Sequence, residues 1–230
     1  MAQIYGALPR VTDGFVIWLD AGSTASYPGS GATWYDLAGK SADGEINGAS
    51  FNSNLGGYFD FDGVNDYVEV DSINGGTSIF TGGNWTWTTW GYRESSSLTG
   101  TSQYSDVFNS LGHKPRFFWN PVYGTAIAGY RVDTSGYATL MGTSGTFLGA
   151  WHYLTITSDQ SDFRYYVDGA AESNTTYIQT MDEYGYWIGG NPWGNSYFYG
   201  KIGRVEIYNR ALSASEISQN FEAKRKRFGV

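Results

Sequence analysis

Tyr197-Phe-Tyr-Gly-Lys-Ile-Gly-Arg-Val-Glu-Ile-Tyr-Asn-Arg-Ala-Leu-Ser-Ala-Ser-Glu-Ile-Ser-Gln-Asn-Phe221 is the stretch on which the fold turns. In Arg204-Val205-Glu206-Ile207-Tyr208 the apolar Val205 and Ile207 alternate with charged neighbours, the period of two that marks a strand with one face on a core. Asn209-Arg210-Ala211 turns the chain. Ser213 followed three residues later by Glu216 is a capping box, and Ile217 and Phe221 lie four apart on one side of a short helix. Nothing else in the chain reads so clearly as helix. A strand running into a single capped helix predicts that the earlier strands build a sheet structure which this segment completes.

Composition agrees with that reading. Aromatic residues make up 18% of the 230 residues and glycines number 32, while charged residues reach only 16%, a mixture suited to many short strands joined by tight turns. The length fits one large β-sandwich. A net charge of -8 argues against wrapping nucleic acid, whose phosphates it would repel, and tolerates cations. Without cysteine there is no disulfide and no thiolate for catalysis or metal binding, so the fold must stand on its core. Met1 to Arg10 lacks the basic start and apolar run of a signal peptide, and no later run has the length of a membrane span. The expectation is a chain made in a cytoplasm, with no membrane insertion.

In chain order, residues 1–14 read as a polar arm, ordered against a partner, and residues 15–230 as one sandwich. Phe15-Val-Ile-Trp-Leu-Asp20 is a strand covered on both faces. Asp36 and Asp43 lie in a loop anchored by Trp34 and Tyr35, facing solvent or a ligand. Tyr58 to Phe61 and Asp66 to Val70 are strands joined by the turn Asp62-Gly-Val-Asn65. Trp85 to Trp90, Arg116 to Trp119, Trp151 to Thr157 and Phe163 to Val167 repeat the aromatic and β-branched habit, the last two forming a hairpin that ends in Asp168-Gly169. With weaker runs near Ile127 and Tyr186, about a dozen strands stand at the spacing of a sandwich or jelly roll.

The sequences Asp36-Leu-Ala-Gly39, Phe59-Asp-Phe-Asp-Gly-Val-Asn-Asp-Tyr-Val68, Trp151-His-Tyr-Leu154 with Tyr166-Val-Asp-Gly169, and Gly200-Lys-Ile-Gly-Arg-Val-Glu-Ile-Tyr-Asn-Arg-Ala-Leu-Ser213 resemble, in this order, a laminin G-like, pentraxin-like domain of the concanavalin A-like lectin/glucanase superfamily. The resemblance covers about Phe15 to Phe221. It implies an all-β fold of two antiparallel sheets in a jelly-roll sandwich with one short C-terminal helix, binding on the rim loops or the concave sheet, and no single function. The ending from Ala211 and the opening Phe15 to Gly31 also resemble stand-alone domains of this type in virion proteins of tailed bacteriophages. That resemblance implies a capsid or tail subunit whose partners are other virion proteins and surface glycans.

Glycoside hydrolases of the superfamily carry acids as Glu-x-Asp-x-Glu or Glu-x-Asp-x-x-Glu, and a retaining enzyme needs two carboxyl groups about 5 Å apart. The only Glu-x-Asp here is Glu69-Val70-Asp71, with Ile73 and Asn74 where the third acid belongs, so the reading is non-enzymatic. His113 and His152 stand apart from any Ser or acid motif, and His152 reads as structural. Calcium at the rim is a further implication of the resemblance. Asp62, Asn65 and Asp66 around one turn and Asp36 in another loop supply the oxygen ligands a hard cation needs, although the same residues serve turn hydrogen bonds. For glycans, flat rings cover a sugar face while amide oxygens bond its hydroxyls. Trp193, set among Asn191, Asn195, Tyr197 and glycines, is the best single contact, and Trp119 with Tyr123 is a second candidate of the same composition. The basic run Lys224-Arg-Lys-Arg227 either complements the helix dipole or docks on an acidic neighbour. Edges without lysine leave self-association open.

Overall fold

The computed structural model describes residues 9–70, 84–94, 105–110, 116–120, 127–131, 148–175 and 185–230. Two antiparallel sheets face one another across an aromatic core. The first contains β1 (Phe15–Asp20), β4 (Ser50–Asn52), β5 (Tyr58–Asp62), β7 (Asn84–Arg93), β11 (Trp151–Asp159), β12 (Phe163–Val167), β13 (Ala170–Thr175) and β17 (Tyr199–Tyr208). Its order is β13-β12-β11-β7-β17-β5-β4, with β1 also paired to β17. The second contains β2 (Thr33–Trp34), β3 (Gly44–Asn47), β6 (Tyr67–Val70), β8 (Ser105–Ser110), β9 (Arg116–Asn120), β10 (Ile127–Arg131) and β14 (Tyr186–Ile188), in the order β10-β9-β8-β14-β6-β3-β2. A small hairpin, β15 (Gly190–Asn191) and β16 (Ser196–Tyr197), follows β14, and α1 (Ala214–Phe228) ends the chain. The expected jelly-roll sandwich with one C-terminal helix is the observed fold, and each strand expected by name from Phe15 to Tyr208 is present.

Alternation sorts the side chains between the two faces of each strand. Val205 and Ile207 of β17, Trp85 and Trp87 of β7, and Leu154 and Ile156 of β11 point between the sheets and meet Ile188 and Tyr186 of β14 in one core. The opposite face of the first sheet is closed as well. There Trp90, Trp151, Tyr153 and Tyr208 form a second core with Ile217 and Phe228 of α1. Within it Arg204, 2% exposed, pairs with Glu206 and, at 3.4 Å, with Asp20.

The described part of the expected arm, from Pro9 onward, is held by the domain itself, and residues 1–8 lie outside the described residues. Val11 N–H donates to Asn220 at 2.8 Å, the Gln219 amide reaches the Pro9 carbonyl, and Tyr208 Oη donates to the Val11 carbonyl at 3.2 Å. Arg10 pairs with Glu206 at 3.0 Å and lies 3.5 Å over the Trp18 ring. The basic run finds its acidic neighbour in the same chain. Arg227 pairs with Asp20 at 2.6 Å and donates to the carbonyls of Leu55 and Gly57, while Gly229 caps the helix in the left-handed conformation. Burial alone would raise the Asp20 carboxyl, but Arg204 and Arg227 outweigh it and hold it below the usual carboxylate range.

The capping box forms as read, with Ser213 accepting from Glu216 N–H and the Glu216 carboxylate accepting from Ser213 N–H at 2.9 Å. Arg210 adds a bidentate pair to Glu216 at 2.7 and 3.1 Å. That pair first, then the Ser213 bonds, lower the Glu216 carboxyl to about 2. A carboxyl depressed in the folded state stabilises at pH above its unfolded value and loses that stabilisation as pH falls towards 2. After allowance for solvent screening, Arg210→Met is expected to cost about 1 kcal/mol at pH 7, the difference from wild type shrinking between about pH 4.5 and pH 2. Urea titrations of both proteins across that range check this, and a difference independent of pH would remove Glu216 from the account.

Candidate ligand-binding face

The outer face of the second sheet is partly accessible along β2, β3 and β6. On β14, Tyr186 and Ile188 are fully buried in the core, which turns Trp187 to the other side. On β6, Val68 and Val70 point inward and Tyr67 and Glu69 outward. Register then aligns one outward row across the sheet. Thr33 pairs with Glu45, Glu45 with Glu69, Glu69 with Trp187, and Trp187 with Asn109. Beyond β8 the same row passes Arg116 and Arg131 by register position. Asn47 pairs with Tyr67 in the next outward row.

The hairpin after β14 folds back over this face. Gly189 has φ +74°, and a Cβ there would stand 2.1 Å from the Phe61 ring, so only glycine allows the chain to turn so tightly onto the core. Its N–H donates to the Val107 carbonyl and its carbonyl accepts from Phe198 N–H, both at 2.9 Å. At Gly190 a Cβ would lie 2.9 Å from the Tyr197 ring and 3.1 Å from Tyr67 Cβ, which brings the two tyrosines side by side. Burial first, then Glu69, Tyr197 and Glu45, push the Tyr67 phenol above its usual range, so these four groups are neighbours.

Trp193 sits at the hairpin tip, 68% exposed, edge-to-face with the buried Trp187 at 4.7 Å between centroids and 83° between planes. The Trp187 Nε1 donor is buried and has no hydrogen-bond acceptor among the described residues. The face therefore offers the Trp193 indole, backed by the buried Trp187, with two tyrosines and the opposed carboxylates of Glu69 and Glu45 beside it. Stacking and hydrogen bonding to hydroxyls are what such a surface does chemically.

Of the expected contacts, Trp193 and Tyr197 stand on this face, and Asn195 is exposed at the turn with φ +47°. Asn191 is 1% exposed, because its pairing with Ser196 turns it inward, so it is removed from the surface contacts. Trp119 lies on β9, paired with Ala128 and Ser105, and Tyr123 lies outside the described residues. Glu45 and Glu69 had no signal as a pair in the sequence, since only strand register joins them.

The acidic turns are built for their own backbone. Asp36 accepts from the N–H groups of Trp18, Ala38 and Lys40, each at 2.9 Å, the turn bonding that the sequence left open beside metal binding. Asp62 accepts from Val64 and Asn65 N–H, and Asp66, 7% exposed, accepts from Asp62 N–H at 2.9 Å. Asn65 is exposed. No group of three or more His, Asp or Glu side chains among the described residues is placed to hold a metal ion. His152 pairs with Asp168 at 2.8 Å, an acid sixteen positions on that the sequence did not link to it. Asp168 also accepts from Tyr153 N–H at 2.8 Å and ties the β12–β13 turn to β11. His113, like Asp71, is outside the described residues. No helix among the described residues is long and apolar enough to cross a membrane.

Comparison with solved structures places this architecture among known ones. A sialidase of Trypanosoma rangeli in complex with sialic acid matches at TM-score 0.68 and 17% identity, over 96% of this chain and 34% of that one. The binding domain of Paraclostridial Mosquitocidal Protein 1 matches at 0.66 and 15%, over 91% and 52%. A botulinum neurotoxin serotype D binding domain matches at 0.67 and 16%, over 92% and 52%. The chain thus spans about a third of the sialidase and about half of the two binding domains. At these identities the likeness is one of fold. A search of curated protein sequences finds no match. The family model described as "Concanavalin A-like lectin/glucanases superfamily" matches residues 62–218, more than half of the chain. With the two-sheet sandwich, the closing helix and this match together, the chain belongs to the Laminin_G_3 family of the concanavalin A-like lectin/glucanases superfamily.

Proposed function

We propose that the domain is a non-catalytic, saccharide-binding module that uses the outer face of the second sheet. The observation that carries this reading is Trp193, a large ring 68% exposed on a rigid hairpin and backed at a right angle by Trp187. An indole fixed in this way covers the apolar face of a pyranose with little entropy left to lose. Glu69 and Glu45 beside it accept hydrogen bonds from hydroxyls. Neighbours of the same fold that are titled binding domains support a binding role.

Trp193→Ala is expected to weaken binding to a responsive glycan at least about tenfold while leaving the melting temperature within a few degrees. Glycan arrays followed by calorimetry read both quantities, and undiminished binding would reject this face. Binding is expected to persist in chelator, because Asp62 and Asp66 each hold backbone N–H groups of their own turn; loss in chelator would place Ca²⁺ at that turn. The ligand should be recovered intact, and released reducing ends would convert the Glu45–Glu69 pair into a hydrolase reading. The setting proposed for the module, from its likeness to virion domains, is the surface of a bacteriophage particle, where it would meet capsid or tail proteins. Electron cryo-microscopy of particles checks for a jelly roll of this size.

A further inference from the structure

The charge on the open face narrows the ligand further, an inference that rests on the saccharide reading above. Glu45 and Glu69 stand directly opposite one another on β3 and β6, an arrangement that repels and weakens a sheet. Neither carboxylate has an ion pair or side-chain hydrogen bond among the described residues. Strands β2, β3, β6 and β14 and the hairpin of β15 and β16 contain no Lys or Arg. The cations sharing the row by register, Arg116 and Arg131, lie beyond β8. With strands about 4.8 Å apart, Glu69 is one strand from Trp187 while Arg116 is two and Arg131 three. By register, Glu69 is the charged residue nearest Trp187 in the outward row among the described strands. The exposed ring face of Trp193 adds the negative side of its quadrupole, which attracts a cation in the same place.

We propose that the Glu69–Trp187–Trp193 site selects a saccharide bearing a protonated amino group and rejects carboxylated sugars. The ammonium sits against Glu69 beside Trp193, while the pyranose ring stacks on the exposed face of Trp193. This recognition differs from that of a neutral-sugar site, because N-acetylation of the ligand removes the charge and a sialic acid reverses it.

Isothermal titration calorimetry on the whole chain at pH 6 tests the assignment with three probes: a glucosamine hexamer, its N-acetylated counterpart and a sialylated lactose. The glucosamine hexamer is expected to bind about tenfold tighter than the acetylated one, with the difference narrowing as salt rises, and the sialylated probe is expected not to bind. Glu69→Gln should bring the two hexamers to within about threefold of one another. Glu222→Gln, on the exposed side of α1, should leave the preference intact, which separates the site from the general attraction of an acidic protein for a polycation. Circular dichroism confirms that both variants fold. Equal or tighter binding of the acetylated hexamer, or a preference that Glu69→Gln does not change, overturns the amino-sugar assignment. If the acetylated hexamer still binds in a Trp193-dependent way, the saccharide face itself stands; if neither hexamer binds, that reading falls with it.

Discussion

Glu206→Ala should lower the stability of the domain by about 3–5 kcal/mol, the cost of leaving buried charge without its partner. Glu206 is 4% exposed at the centre of the covered outer face of the first sheet. Its carboxylate pairs with Arg204 and with Arg10, the latter at 3.0 Å, accepts from Thr88 Oγ1 at 3.1 Å and lies 3.4 Å from Tyr208 Oη. Removing it leaves Arg204 with Asp20 at 3.4 Å as its anion and deprives Arg10, which pins the arm, of its own. At about 2–4 °C per kcal/mol for a chain of this size, the melting temperature should fall by roughly 6–20 °C. Glu206→Gln keeps an acceptor for Thr88 and should lie between the two. The double variant Arg204→Met/Glu206→Leu should recover a substantial part of the loss, because an apolar pair removes both charges together. Thermal unfolding of the four proteins decides the matter. A Glu206→Ala protein within about 1 kcal/mol of wild type would mean that water reaches the cluster.

The same residues show how far the sequence could be read. The alternation in Arg204-Val205-Glu206-Ile207-Tyr208 identified the strand and put Val205 and Ile207 on the core, as the structure has them. It could not show that the charged face is also covered, because the cover comes from Arg10 and Val11 at one end of the chain and Asn220 and Arg227 at the other. Local period reports which side of a strand is apolar. Whether the polar side meets water or a compensating charge depends on contacts spanning nearly 200 positions, as between Arg10 and Glu206. The capping box, by contrast, is contained within Ser213 to Glu216, and it forms as written.

A similar division holds at the open face. Trp193 was legible because glycines, Pro192 and two asparagines around a large ring describe a tip and not a core. Asn191 shares that composition, yet a ladder of one residue pair with Ser196 turns it inward, and composition carries no register. The carboxylates of Asp36, Asp62 and Asp66 were visible, with turn bonding and metal binding both open. The structure has backbone N–H groups bonded to each of them. Glu45 and Glu69, 24 positions apart, become neighbours only once β3 pairs with β6.

The second large effect is expected where α1 seals the first sheet. Trp90, 1% exposed, is stacked on Phe228 at 4.4 Å and 13° and on Phe221 at 5.8 Å and 16°, with Tyr153 at 5.2 Å on its flank. Trp90→Ala removes the ring on which both helix aromatics rest, and a hole of that size costs about 3–5 kcal/mol when its walls cannot close. Here they are held apart by the Arg227–Asp20 pair at one end of the helix and by Arg210–Glu216 at the other. Phe228→Ala should cost about as much, and the double variant should cost less than the sum, since each ring has lost its partner in the single variants. Hydrogen exchange gives the sharper test. Amides of α1 should lose protection in Trp90→Ala ahead of those in β11 and β17, because the helix is joined to the sheet by this second core while the strands also belong to the first. Uniform loss across helix and strands would mean that the two cores unfold as one unit, and the arm with its Arg10 contact, released together with α1, would then report global unfolding instead of local release.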